Sequence, residues 1–107
     1  MLALLLGMTT AAAPDRTAPR LRVTDRVPLS VAGDHFAAGE RVTVTAITGL
    51  GPHSVRVRAM RGRFRAEFKL PTSGCGAPFA VRARGATGTT AVVKLGPPTP
   101  CIPPPRN

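Results

Sequence analysis

The chain has 107 residues, four phenylalanines, no tryptophan or tyrosine, and a formal net charge of +10, from 13 arginines and 2 lysines against 5 carboxylates. That length suits one small domain, and the shortage of aromatic rings argues against a sugar platform or a stacking surface for single-stranded nucleic acid. With only two histidines and five carboxylates no triad or carboxylate dyad is assembled, and two cysteines with two distant histidines do not give metal-ligand spacing, so no catalytic residue, cofactor or metal ligand is expected.

The opening residues, MLALLLGMTTAAA, contain a short apolar run from Leu2 to Met8, then small residues with Ala11 and Ala13 in an A-x-A arrangement. This reads as a secretory signal peptide over residues 1–13. No basic residue precedes the run and Pro14 follows it directly, so cleavage can fall a residue or two away. The run is far short of the ~20 residues a membrane-spanning helix needs. The expected location is secreted or extracytoplasmic, in association with the cell envelope. PDRTAPR, residues 14–20, reads as a flexible leader.

Seven short runs of alternating apolar and polar residues follow, separated by Gly and Pro. They are Leu21–Val23, Leu29–Gly33, Arg41–Ile47, Ser54–Met60, Arg63–Lys69, Phe79–Arg84 and Thr89–Leu95. Short strands at this spacing predict an all-β, immunoglobulin-like sandwich of about seven antiparallel strands in two sheets, over residues 21–95. Residues two apart share a face of a strand. That places Val42, Val44 and Ala46 inside with Thr43 and Thr45 outside, and Phe79, Val81 and Ala83 inside with Arg82 and Arg84 outside. Phe64 and Phe68 point inward, and Phe36 plugs one end from a loop.

SVRVRAMRGRFRAEFKL, residues 54–70, is the most basic stretch. Read as a hairpin with its turn at Arg61–Gly62, it pairs Ala59 with Phe64, Val57 with Ala66 and Val55 with Phe68 on one face. On the other face Arg56 meets Glu67, and Arg58 meets Arg65. Two arginines directly opposite destabilise a strand pair, and an anion between them would remove the repulsion. Arg56, Arg58, Arg63, Arg65 and Lys69 are therefore the candidate anion-binding residues. The competing reading is a solvated hairpin whose arginines splay apart and are screened by salt. Abundant Ala, Gly, Pro and Arg together also match GC-rich coding. In this arrangement Arg41, Arg82 and Arg84 would face the opposite way, giving a protein that is positive all round.

Cys75 precedes the sixth strand and Cys101 follows the seventh. Antiparallel neighbours put those two points at the same end, so an exported chain should join them in a disulfide. The bond would tie back the proline-rich tail, residues 96–107, which favours extended polyproline conformation. Asp34 and His35 are adjacent, but neighbours on an extended chain point apart. His53 is expected in the GLGPHS loop, and Glu40 is expected to pair with a nearby Arg.

VAGDHFAAGERVTVT, residues 31–45, resembles the G-x-x-F-x-x-G-E-x-V pattern of bacterial secreted immunoglobulin-like modules, including those of the IPT/TIG type. Gly33, Phe36, Gly39, Glu40 and Val42 match it. GRFRAEFKLP and FAVRARGATGTTAVV are similar to later strands of such modules, so the likeness spans most of Leu29–Leu95. The apoproteins of enediyne antibiotics share a similar layout, with two cysteine pairs where this chain has one. The resemblance implies a secreted, non-catalytic scaffold for adhesion, spacing or binding. Two functions follow: an interaction module of the cell envelope with a protein partner, or a basic module that binds an anionic wall polymer or lipid, or nucleic acid non-specifically.

Overall fold

The structure, a computed structural model, describes residues 18–98 and Cys101. The signal peptide expected over 1–13, the start of the 14–20 leader and most of the 96–107 tail lie outside the described residues. The described residues form seven strands and no helix: β1 (Arg20–Arg26), β2 (Leu29–Asp34), β3 (Arg41–Thr48), β4 (Gly51–Arg58), β5 (Phe64–Phe68), β6 (Pro78–Gly85) and β7 (Thr90–Lys94). All pairings are antiparallel. One sheet has the order β1-β2-β5, the other β4-β3-β6-β7.

Alternation decides which side chains meet between the sheets. Leu29, Val31, Phe64, Ala66 and Phe68 point inward from the three-stranded sheet, and Val42, Val44, Ala46, Val81, Ala83 and Ala91 from the four-stranded one. They form one buried cluster with Phe36, whose ring meets Phe64 edge-on at a centroid distance of 5.0 Å. Gly33 lies directly beneath the Phe64 ring, where a Cβ would have no room. It is therefore a packing position within β2, in addition to preceding the bend where the chain leaves the strand. Phe79, expected in the core, is only partly buried.

The hairpin over residues 54–69 is not formed. β4 pairs along its whole length with β3, from Arg41 opposite Arg58 to Thr48 opposite Gly51. β5 pairs with β2 in the other sheet. Arg58 thus faces Arg41 instead of Arg65, Arg65 faces Ala32, Arg56 faces Thr43, and Glu67 faces Ser30. Val55 and Val57 still turn toward the core, packed against it from the four-stranded sheet. The reason lies upstream, where Gly49–Leu50 makes a two-residue turn between β3 and β4. The Thr48 hydroxyl staples it by donating to the Gly51 carbonyl (2.9 Å) and accepting from Leu50 N–H (3.0 Å). This turn starts a long ladder immediately, so β4 is committed to β3. Pro52 and His53, expected in a loop, lie on β4. An edge strand tolerates the proline.

Arg61 and Gly62 do form a tight turn. Both have positive φ (56° and 82°), and Met60 and Arg63 exchange backbone hydrogen bonds of 2.8 and 3.0 Å. The chain then diverges, because Ala59 N–H donates to the Glu40 carbonyl (2.9 Å) and its carbonyl accepts from Gly39 N–H (2.6 Å). Two positive-φ positions favour Asn-Gly over Arg-Gly. Arg61→Asn is expected to raise stability by about 0.5–1 kcal/mol, read as a higher urea midpoint. A lower midpoint would show that the Arg61 side chain contributes more than its backbone conformation costs.

β6 and β7 are antiparallel neighbours, and Cys75 and Cys101 are joined in a disulfide with their Cα atoms 5.0 Å apart.

Candidate functional site

Register places the outward side chains of the four-stranded sheet in rows across the strands. The first row holds Arg58 on β4 and Arg41 on β3. The second holds Arg56, Thr43, Arg84 and Thr90; the third, Ser54, Thr45, Arg82 and Val92. Pro52, Ile47, Ala80 and Lys94 complete the fourth. Five arginines and one lysine thus share one face, with no carboxylate among its outward residues. Arg82 and Arg84, expected on the side opposite Arg56 and Arg58, stand on the same side. The four-stranded sheet thus gathers the densest positive charge, while the three-stranded sheet, with Arg22, Arg63 and Arg65 against Asp34 and Glu67, is also net positive.

The candidate residues are split between the two sheets. Arg56 and Arg58 belong to the basic face. Arg63 and Arg65 line a shallow pocket on the three-stranded sheet with Arg22, Ala32 and Asp34. Lys69 is exposed just beyond β5. That second surface is of mixed charge, since Asp34 and Glu67 also lie on it. The Arg22 guanidinium is 3.7 Å from Asp34. The site residues missed by the sequence reading are Arg41, Arg82, Arg84 and Lys94; the outward parity of the three arginines is legible, but their common sheet is not.

The basic face has relief. Thr43 is short and stands between Arg56 and Arg84, so the sheet dips along β3. Arg41, Thr43, Arg56, Arg84 and the Gly85–Gly88 turn line a depression of about 450 Å³. A second, adjoining hollow lies among Arg41, Arg56, Val57 and Arg58. The Arg58 guanidinium is held by the Gly39 carbonyl at 3.1 Å. One row further, the Thr45 and Ser54 hydroxyls are 2.8 Å apart. Among the described residues the one Arg–carboxylate ion pair joins Arg22 to Asp34, so none of the arginines on this face is neutralised by a carboxylate.

Glu40, next to Arg41, does not pair with an arginine as expected. Its carboxylate is buried and turned away from the face. Oε1 accepts from the Thr87 hydroxyl (2.6 Å) and Thr87 N–H (3.0 Å), and Oε2 accepts from Ala37 N–H (2.8 Å). Gly85 passes against it with no room for a Cβ. The Thr87 hydroxyl bond is the main cause of a carboxyl pKa below its ordinary value; burial pushes upward, and the two N–H bonds pull further down. Glu40 therefore clasps the Gly85–Gly88 turn to the β2–β3 connection and fixes one rim of the depression.

Asp34 and His35 do approach each other, against expectation. His35 has φ 64°, so the chain is not extended there, and its Nδ1 lies 3.2 Å from Asp34 Oδ1. The geometry makes no hydrogen bond, and that oxygen is buried without a donor. No side-chain hydroxyl or thiol lines the pocket beside them. Among the described residues no group of three or more His, Cys, Asp or Glu is placed to hold a metal, and no helix is long and apolar enough to cross a membrane.

Comparison with protein-family models, with curated proteins and with solved structures returns no match for this chain.

Proposed function

We propose that this protein is a secreted, non-catalytic, immunoglobulin-like module of the bacterial cell envelope that engages an anionic partner through the outer face of its four-stranded sheet. The observation that supports this most directly is the segregation of charge. Arg41, Arg56, Arg58, Arg82, Arg84 and Lys94 face outward together with no carboxylate between them. Stability alone gives no reason to set Arg41 opposite Arg58, since like charges directly opposite are unfavourable.

The strand order supports the immunoglobulin-like part of the reading. β1-β2-β5 against β3-β6-β7 is the A-B-E against C-F-G arrangement of such sandwiches, with the fourth strand moved beside the third. The disulfide fits an oxidising compartment, and the leading apolar run fits export.

The test is retention of the oxidised protein on purified bacterial envelopes, eluted with stepped salt. The wild type should bind at low salt and release at moderate salt, because exposed charge contacts are screened. Arg56→Ser/Arg84→Ser should be retained at least tenfold less, while Arg22→Ser/Arg65→Ser, on the other sheet, should behave as wild type. Equal loss in both variants would reduce the face to net charge. Retention through high salt in all three would replace it with an apolar or backbone-mediated protein interface.

A further inference from the structure

Resting on the reading of this face as an anion site, we infer that its ligand is a linear polyol phosphodiester without nucleobases, lying as a single chain along β3 with successive phosphates on successive arginine rows. The first row offers Arg58 and Arg41, the second Arg56 and Arg84, the third Arg82. At the second and third rows β3 presents Thr43 and Thr45 between the flanking strands, so there the arginines form walls and the threonines a low floor, and Arg41, on β3 itself, closes the trough at the first row. Neighbouring strands are about 4.8 Å apart, which separates the β4 and β6 walls by about 10 Å at the backbone. That gap takes one chain, with guanidinium groups reaching in from both sides. A flat lipid surface would leave the floor unfilled.

Pitch selects the polymer. Rows recur every two residues, about 6.8 Å along a strand. A peptide residue spans three backbone bonds and at most about 3.3–3.6 Å, so a repeat of six backbone bonds spans about 7 Å. A phosphodiester joining two hydroxyls across three carbons has six bonds per repeat: two P–O, two O–C and two C–C. Each arginine row then meets one phosphate. Linear polyphosphate, with two bonds per repeat, places phosphates far too densely for one per row. Arginine presents a planar fork of donors that suits two phosphate oxygens at once. At the third row the Thr45 and Ser54 hydroxyls bond to each other, which leaves one O–H of the pair to donate opposite Arg82.

A single-stranded nucleic acid has the same six-bond repeat, and the composition of the face separates the two. Its outward residues include no aromatic ring, so bases gain no stacking, which otherwise supplies about 1–3 kcal/mol per base. The bases would also have to be accommodated above a trough one chain wide.

The experiment is calorimetric titration of the oxidised protein at low salt with oligo(glycerol phosphate) of six repeats. Parallel titrations use linear polyphosphate and polyglutamate of equal charge, an oligodeoxythymidylate of equal phosphate number, and phosphatidylglycerol vesicles. The glycerol phosphate polymer should bind at least tenfold more tightly than the other soluble polymers. Arg56→Ser/Arg84→Ser should weaken it at least tenfold and lower the slope of log K against log salt by about 0.7, the value for the one phosphate of the second row that is no longer neutralised. Thermal unfolding of each variant confirms that it is folded. Equal binding of all soluble polyanions, or binding to vesicles alone, overturns the pitch argument and leaves the anion-binding face standing. Tighter oligodeoxythymidylate binding overturns the base-free ligand. No binding of any anion by folded protein overturns the face itself.

Discussion

Replacing Glu40 by alanine is expected to destabilise the domain by about 2–4 kcal/mol at neutral pH, read as a lower urea midpoint. The carboxylate receives three hydrogen bonds, from the Thr87 hydroxyl, Thr87 N–H and Ala37 N–H, in a buried position. Removing it takes away three part-buried hydrogen bonds to a charged acceptor, each worth more than a bond between neutral groups, and opens a gap where the buried carboxylate stood. The effect has a pH signature. Because the folded pKa lies below the ordinary value of 4.5, the stabilisation is complete above that value and is lost as pH falls through the folded pKa. Glu40→Gln, which keeps the shape but not the charge, should be less stable than wild type at pH 7. The two midpoints should converge as the pH drops below about 4. A gap that stays constant down to about pH 2 would mean that the charge contributes nothing and only the shape matters.

Opening the Cys75–Cys101 bond is expected to cost about 3–4 kcal/mol. The bond joins residues 26 apart in sequence and encloses β6, β7 and their turn. Chain entropy recovered by the unfolded state is the main contribution to that cost. In so small a domain this is a large share of the whole stability. Cys75→Ser/Cys101→Ser should show a lower urea midpoint than the oxidised wild type, and reductant should bring the wild type down to the same value. An unchanged midpoint would place the bond outside the cooperative unit, as a tether on the tail alone. Since β6 carries Arg82 and Arg84, loss of anion binding on reduction should follow the unfolding transition and not precede it.

The inward and outward faces of the strands are legible in the sequence. Val55 and Val57 read as inward, Arg56 and Arg58 as outward, and so they stand. Pairing is not legible in the same way. A period of two fixes the face of a strand but says nothing about its neighbour, so residues 54–69 satisfy a hairpin on paper while β4 and β5 go to different sheets. The Thr48–Gly51 turn decides the matter, and it is hidden because Gly49, Gly51 and Pro52 read as a loop. The candidate site is only half legible for the same reason. Arg41, Arg82 and Arg84 each read as outward, and only the order β4-β3-β6-β7 brings them beside Arg56 and Arg58. The disulfide needs only the antiparallel relation of consecutive strands, a local property, and is legible. The partner of Glu40 is not, because Thr87 is 47 residues away and offers a hydroxyl and an N–H in place of a charge.

Among the described residues the sheet order also leaves four strands, β1, β5, β4 and β7, with an unpaired edge. Such edges template aggregation by adding a strand from another molecule, and charged side chains and prolines are the usual defences. On β4, Pro52 removes a donor, and Arg56 and Arg58 would be brought against the arginines of an arriving copy. Electrostatic repulsion thus guards this edge, and it is screened over roughly 8 Å at physiological ionic strength and over about 3 Å in molar salt. The domain should therefore be least soluble where its charge is masked, in concentrated salt or near charge equivalence with a polyanion. Copies neutralised along one polymer would be free to line up edge to edge.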